Sequence, residues 1–231
     1  MFRLVSVWKA DGIDTEHHYT NGHMPRSLPQ WGNPDNITLF KLIREDYVAN
    51  GRDWHDPGFR AVLVHRLGNW RMAIRPRVLR APVSFVVNVL YRFVRNVYGI
   101  ELPMNVRLGR RVSIDHQSGI VIHGNTQIGD DCRIRHNTTM GIRRMDDLTA
   151  APILERGVDV GAGAVILGRI RLGAYSTIGA NAVVLCDVPS GALAAGVPAT
   201  IVRDRRGGQG PEALELGGGS GQISRSSHPA E

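Results

Sequence analysis

A chain of 231 residues, 42% of them hydrophobic, suffices for one sizeable core or for a small domain joined to a larger one. Its net charge of +7 is spread along the sequence without a DNA- or RNA-binding fingerprint, which argues against nucleic acid and for solubility plus attraction to phosphate-bearing ligands. Two cysteines, with no CxxC and no paired histidine cluster, exclude a disulfide framework and a structural zinc site, so no metal is expected.

The first residues lack the basic start, apolar run and cleavage site of a signal peptide. No apolar stretch approaches the ~20 residues of a membrane span. A cytoplasmic protein is predicted.

Residues 1–37 mix His, Gly, Pro and Asn without periodicity and read as an irregular extension. Residues 38–100 read as a helical domain. Thr38 is a candidate cap for a helix carrying Leu39, Leu42, Ile43 and Tyr47 on one face, closed by Gly51. A second helix starts near Pro57 and carries Phe59, Val62, Leu63, Leu67 and Trp70. After an interruption from Pro76 to Pro82, a third and more apolar helix is predicted from Val83 to Val97. Arg75, Arg77, Arg80, Arg92 and Arg95 surround it, which invites a membrane reading. It is too short to span, and the preferred reading is a helix packed on the rest of the protein.

From residue 106 a six-residue beat takes over. Ile122, Ile128, Ile134 and Met140, then Leu154, Val160, Ile166, Leu172, Ile178 and Val184, recur at that spacing, and glycine follows five of them directly. Neither the helical nor the strand period gives six. A triangular coil does, with one aliphatic inside per side and a small residue at the corner. Stacked coils bury a continuous column, so residues 101–203 read as a parallel β-helix preceded by the helices.

The beat breaks twice. Two extra residues fall near Asp115-His116-Gln117, and residues 141–152, GIRRMDDLTAAP, leave the stack as a loop. Interruptions of a solenoid map to its binding face. Residues 204–231, rich in Gly and Ser, read as a disordered tail.

DPGFRAVLVHRLGNW (56–70), SIDHQSGIVIHG (113–124), IGDDCRIRHNTTMG (128–141), VDVGAGAVILG (158–168) and IGANAVVLCDVPSGALAAGVPATIV (178–202) resemble the serine O-acetyltransferases, in a short form like those of polysaccharide gene clusters. The resemblance covers roughly residues 38–203. It implies a left-handed β-helix, a homotrimer or dimer of trimers, an active site between neighbouring subunits, and direct acetyl transfer from acetyl-CoA to a hydroxyl.

The resemblance also implies residue roles. His116 matches the catalytic base, which takes the proton of a hydroxyl whose pKa lies far above neutral. Glu101 stands where the family has an aspartate that orients this histidine, fifteen residues upstream. Asp115 matches a contact to the acceptor, and Asp53 a second one from the helical domain. Gly141, Gly161, Ala162 and Ala180 stand where family members meet the pantetheine arm of CoA, and Arg203, with Arg205 and Arg206, is a candidate for its phosphates. His65 reads as structural, and His123 and His136 as coil-face residues.

The family's loop carries Arg-His-Pro, whose first two side chains bind the amino acid. Here the stretch is Ala150-Ala151-Pro152, leaving Arg143 and Arg144 as replacement cations. Three readings stay open: acetylation of L-serine, acetylation of a sugar in surface-polysaccharide biosynthesis, and a non-catalytic β-helix scaffold. The sequence ends in Pro229-Ala230-Glu231, whereas the family docks cysteine synthase through a C-terminal isoleucine, so that complex is not expected.

Overall fold

The computed structural model describes residues 37–75 and 77–203. The expected irregular extension over 1–36 and the expected tail from 204 lie outside them. Three helices precede a parallel β-helix: α1 (Leu39–Ala49), α2 (Pro57–Trp70) and α3 (Arg77–Phe93).

The helix ends follow local chemistry. Thr38 does occupy the N-cap of α1, but its hydroxyl caps nothing; only its carbonyl is used, by Leu42 N–H. At α2 the cap is Asp56, whose carboxylate accepts from Phe59 N–H at 2.6 Å ahead of Pro57. The third helix starts six residues earlier than expected. Pro82 lies inside α3, close enough to its start that the missing N–H forfeits one intrahelical bond. A π-helical segment, Val94–Tyr98, then ends on Gly99 at φ 66° and hands the chain to the first strand at Ile100.

Short strands stack into three faces. One holds Ile100–Glu101, Ile120–Ile122, Thr139–Gly141, Val165–Leu167 and Val183–Val184. A second holds four strands from Arg107–Leu108 to Arg171–Leu172, and the third runs from Ser113–Asp115 to the antiparallel pair Leu193–Gly196 and Ala199–Arg203. The regular coil is 18 residues, as in Asp159 beside Thr177. Across the first break it is 20, with Ser113 beside Arg133, and across the loop it is 26, with Arg133 beside Asp159. Each insertion leaves the stack and the register recovers after it.

All ten beat residues from Ile122 to Val184 are at most 1% exposed. Each contributes about 1.5–3 kcal/mol by leaving water. Four of the glycines that follow them, Gly129, Gly161, Gly173 and Gly179, serve close approach rather than an unusual backbone angle. A Cβ on Gly161 would lie 2.6 Å from Ala180 N, and one on Gly173 2.4 Å from Ser190 N. The left-handed corners belong to two other columns, Arg111, Asp131, Gly157, Tyr175 and Gly191 in one and Gly99, Gly119, Asn137, Gly163 and Asn181 in the other.

The helical domain is bolted to the first coils by a buried ion pair. Arg66 Nε donates to Asp46 Oδ2 at 2.8 Å, and the same guanidinium donates to the carbonyls of Leu108 and Gly109. Arg111 N–H donates to Asp46 Oδ1 at 3.1 Å. Burial pushes the Asp46 carboxyl above its ordinary value, and the Arg66 charge opposes that. Loss of one partner would strand the other, at about 3–5 kcal/mol. Asn50 completes the joint. Its amide donates to Val112 O and accepts from Ile114 N–H, pairing the edge of the third face as a strand would.

Candidate active site

The first break is the corner that follows Ser113–Asp115. Gln117 lengthens it, His116, Ser118 and Gly119 all take positive φ, and His116 itself sits at 67°. A left-handed histidine is uncommon and persists where surroundings hold it. Here Ser118 N–H donates to Tyr98 O at 2.8 Å, and Ile120 N–H to Gly99 O at 3.0 Å. Tyr98 is in turn tied to the helical domain, since Arg60 donates to its hydroxyl at 2.6 Å and to Trp54 O at 2.9 Å. The corner thus presents the exposed His116 ring from a backbone anchored on both sides.

One coil on, His136 stands edge-on to His116 with ring centroids 5.7 Å apart. Its Nδ1 is buried without a hydrogen-bond partner among the described residues. On its coil face, His136 thus stands against a second histidine ring. The signal was in the sequence: the break lengthens the coil to 20 residues, and 20 residues separate the two histidines.

Glu101 lies in the first strand, beside Val121. Among the described residues no hydrogen bond joins it to His116. After burial, its charge is what raises the Tyr91 hydroxyl above its ordinary value, which puts the carboxylate near α3. Asp115 is engaged by Arg133, Nε to Oδ2 3.3 Å. Asp53 is exposed between α1 and α2 and accepts from His55 N–H at 2.7 Å.

The loop over 141–152 starts against Gly168, whose N–H donates to Gly141 O. Arg144 is spent on Asp146 at 2.9 Å, both exposed, whereas Arg143 has no carboxylate partner among the described residues. Asp147 pins the loop by accepting from Thr149 and Arg169. Ala150 is half-buried and Ala151 only 4% exposed.

The expected CoA contacts divide. A Cβ on Gly141 would meet only Leu167 Cδ2, at 3.7 Å, so the fold does not require glycine there and the backbone is open to a ligand. Ala180 is exposed and Ala162 half-buried. Gly161 is buried beneath the next coil, and its lack of a side chain is used by the stack. Arg203 ends the last strand, and its side chain lies outside the described part.

Stacked six-residue sides, a histidine displayed at a corner break and an extruded loop define an acyltransferase of the hexapeptide-repeat class. Over 173 residues the chain is 38% identical to a serine acetyltransferase of Helicobacter pylori (strain J99), a match covering 73% of this chain and 96% of that one. Over 159 residues it is 42% identical to the putative colanic acid biosynthesis acetyltransferase WcaB of Escherichia coli K12, covering 68% and 96%. Its fold matches a Brucella abortus serine acetyltransferase crystallised in complex with coenzyme A, at TM-score 0.60 and 29% identity over 71% of this chain and 67% of that one. No family model matches the chain. The chain belongs to the serine acetyltransferase family and is an O-acetyltransferase.

Proposed function

We propose that the chain transfers an acetyl group from acetyl-CoA to the hydroxyl of a small acceptor, with His116 as general base. The donor is acetyl-CoA, whose thioester supplies the activated acyl group. The observation that carries the reading is the anchored corner: a histidine held at φ 67° at a break in an otherwise regular coil. His116 takes the hydroxyl proton as the new C–O bond forms, and the thiol of CoA leaves. A scaffold has no need of a histidine displayed in this way.

His116 is exposed in the single chain, which supports an active unit of several copies, a homotrimer or a dimer of trimers, in which a neighbour closes the site. Gly141 and Ala180 then flank the groove for the pantetheine arm. Glu101 is the proposed orienting carboxylate, and Asp115 and Asp53 the proposed acceptor contacts.

The acceptor best supported is a sugar hydroxyl, as in surface-polysaccharide assembly. Ala150 and Ala151 offer no cation for an amino-acid carboxylate, and Arg144 is already paired. L-Serine is the second reading, favoured by the serine acetyltransferase relatives and by Arg143 at the loop root. The test is release of free thiol from acetyl-CoA, with L-serine and with a panel of sugars. His116→Ala should lower turnover about 10²–10⁴-fold while the protein stays folded. Activity within a few-fold of wild type would remove His116 from the reaction.

A further inference from the structure

We propose that the outward face of α3 docks on the surface of an anionic phospholipid bilayer. This goes beyond acetyl transfer and rests on a different part of the molecule.

A helix packed on a protein normally turns its apolar side inward. In α3 only Val87 is buried. The residues packed toward the protein, such as Arg80, Ser84 and Tyr91, include polar ones, while Val78, Leu79, Phe85, Val86, Val89 and Phe93 are exposed. Val78 is 84% exposed and Phe85 70%. At helical spacing these six form one outward stripe. Val86 and Leu90 also line an apolar groove of about 310 Å³ between α2 and α3. A contiguous exposed apolar stripe of this kind, continuous with an apolar groove, marks a binding site.

Charge selects the occupant. From Pro57 to Ile100 there are eight arginines and neither aspartate nor glutamate. Arg66 is spent on Asp46, but Arg75, Arg77, Arg92 and Arg95 are exposed around the stripe, with no ion pair among the described residues. A second copy of this face would bring arginines against arginines, and α2 and α3 themselves carry no carboxylate to neutralise them. A layer of lipid phosphates over an apolar interior satisfies both the rim and the stripe. No described helix is long and apolar enough to cross a membrane, so α3 lies in the plane of the interface.

The test is co-sedimentation of the full-length protein with vesicles. Phosphatidylcholine vesicles containing phosphatidylglycerol should pellet the protein at least about tenfold better than phosphatidylcholine alone, with binding falling as salt rises. Phe85→Asp with Val89→Asp should abolish binding, and Arg77→Ser with Arg92→Ser should weaken it and flatten its salt dependence. These residues are exposed, so thermal melting and thiol release should match wild type in each variant. Equal recovery on both lipids, no recovery, or unchanged binding by the Asp pair would overturn the proposal. So would concentration-dependent self-association, broken by the Asp pair, in a protein that ignores vesicles; that face would then join copies of the chain.

Discussion

The ring of His136 closes one side of the ring of His116, edge-on at 5.7 Å, from the coil directly beyond it. The carbonyl of His136 is itself fixed by Gly163 N–H at 3.0 Å, so the second histidine rides on the regular ladder while the first rides on the break. The ladder therefore supplies one wall against which the His116 ring lies.

If His136 positions His116 by ring contact, the shape of the ring matters more than its nitrogens. His136→Ala should lower kcat by about tenfold or more with KM for acetyl-CoA unchanged, because small misplacements of a base are costly. His136→Phe keeps an aromatic wall and should recover most of the loss. A Phe variant as poor as Ala would show that a nitrogen is required, and an unaffected Ala variant would end the positioning role.

Glu101 is the carboxylate proposed to orient His116, yet it lies beside Val121, and among the described residues no hydrogen bond joins it to that ring. Its proposed role as orienting group makes a separable prediction. Glu101→Gln should reduce turnover at saturating acetyl-CoA by more than about tenfold while melting temperature holds. Unchanged turnover with a lower melting temperature would make Glu101 a joint between the strand and α3.

His65 gives the fold an acid limit. It is buried, its Nε2 lies 3.1 Å from Val106 O, and burial, with the neighbouring Arg66 charge, lowers its pKa to about 4. The unfolded chain protonates this ring near pH 6.5 and so binds the extra proton first as pH falls. Stability is full above about pH 6.5 and falls toward pH 4, by about 3 kcal/mol from this group. His65→Gln should melt lower at neutral pH but lose less on acidification between pH 6.5 and 4. Parallel pH profiles for the two proteins would contradict the assignment.

Most of the β-helix was legible because a hydrophobic beat of six leaves no other architecture, and Ile122 through Val184 bury as that beat requires. The loop and the break were legible as phase errors. Less legible were features set by contacts across coils. The His116–His136 pair needs the 20-residue coil, which the beat gives only once the two residues of the break are added to it. The packing of Gly161 against Ala180, 19 residues on, is likewise a contact between coils that the beat does not show. The third helix starts before the Pro76–Pro82 interruption ends because a proline near a helix start costs a single bond. Its inverted polarity was invisible, since periodicity gives an apolar face but not the side on which the protein lies.

The acceptor pocket yields the last prediction. Ala150 is half-buried at the foot of the extruded loop, and Ala151 is nearly enclosed, its N–H donating to Thr149 O at 2.9 Å. The two sites should therefore answer differently to restoration of the Arg-His pair. Ala151→His must push a ring into packed space and should cost about 1–3 kcal/mol of stability. Ala150→Arg has room to reach solvent and supplies a cation for a carboxylate, a contact worth about 1.5–3 kcal/mol. L-Serine should be a poor substrate of the unmodified enzyme, and Ala150→Arg should raise its kcat/KM by about tenfold without improving any sugar. Brisk acetylation of L-serine by the unmodified enzyme, abolished by Arg143→Ala, would overturn the sugar reading and make Arg143 the carboxylate's partner.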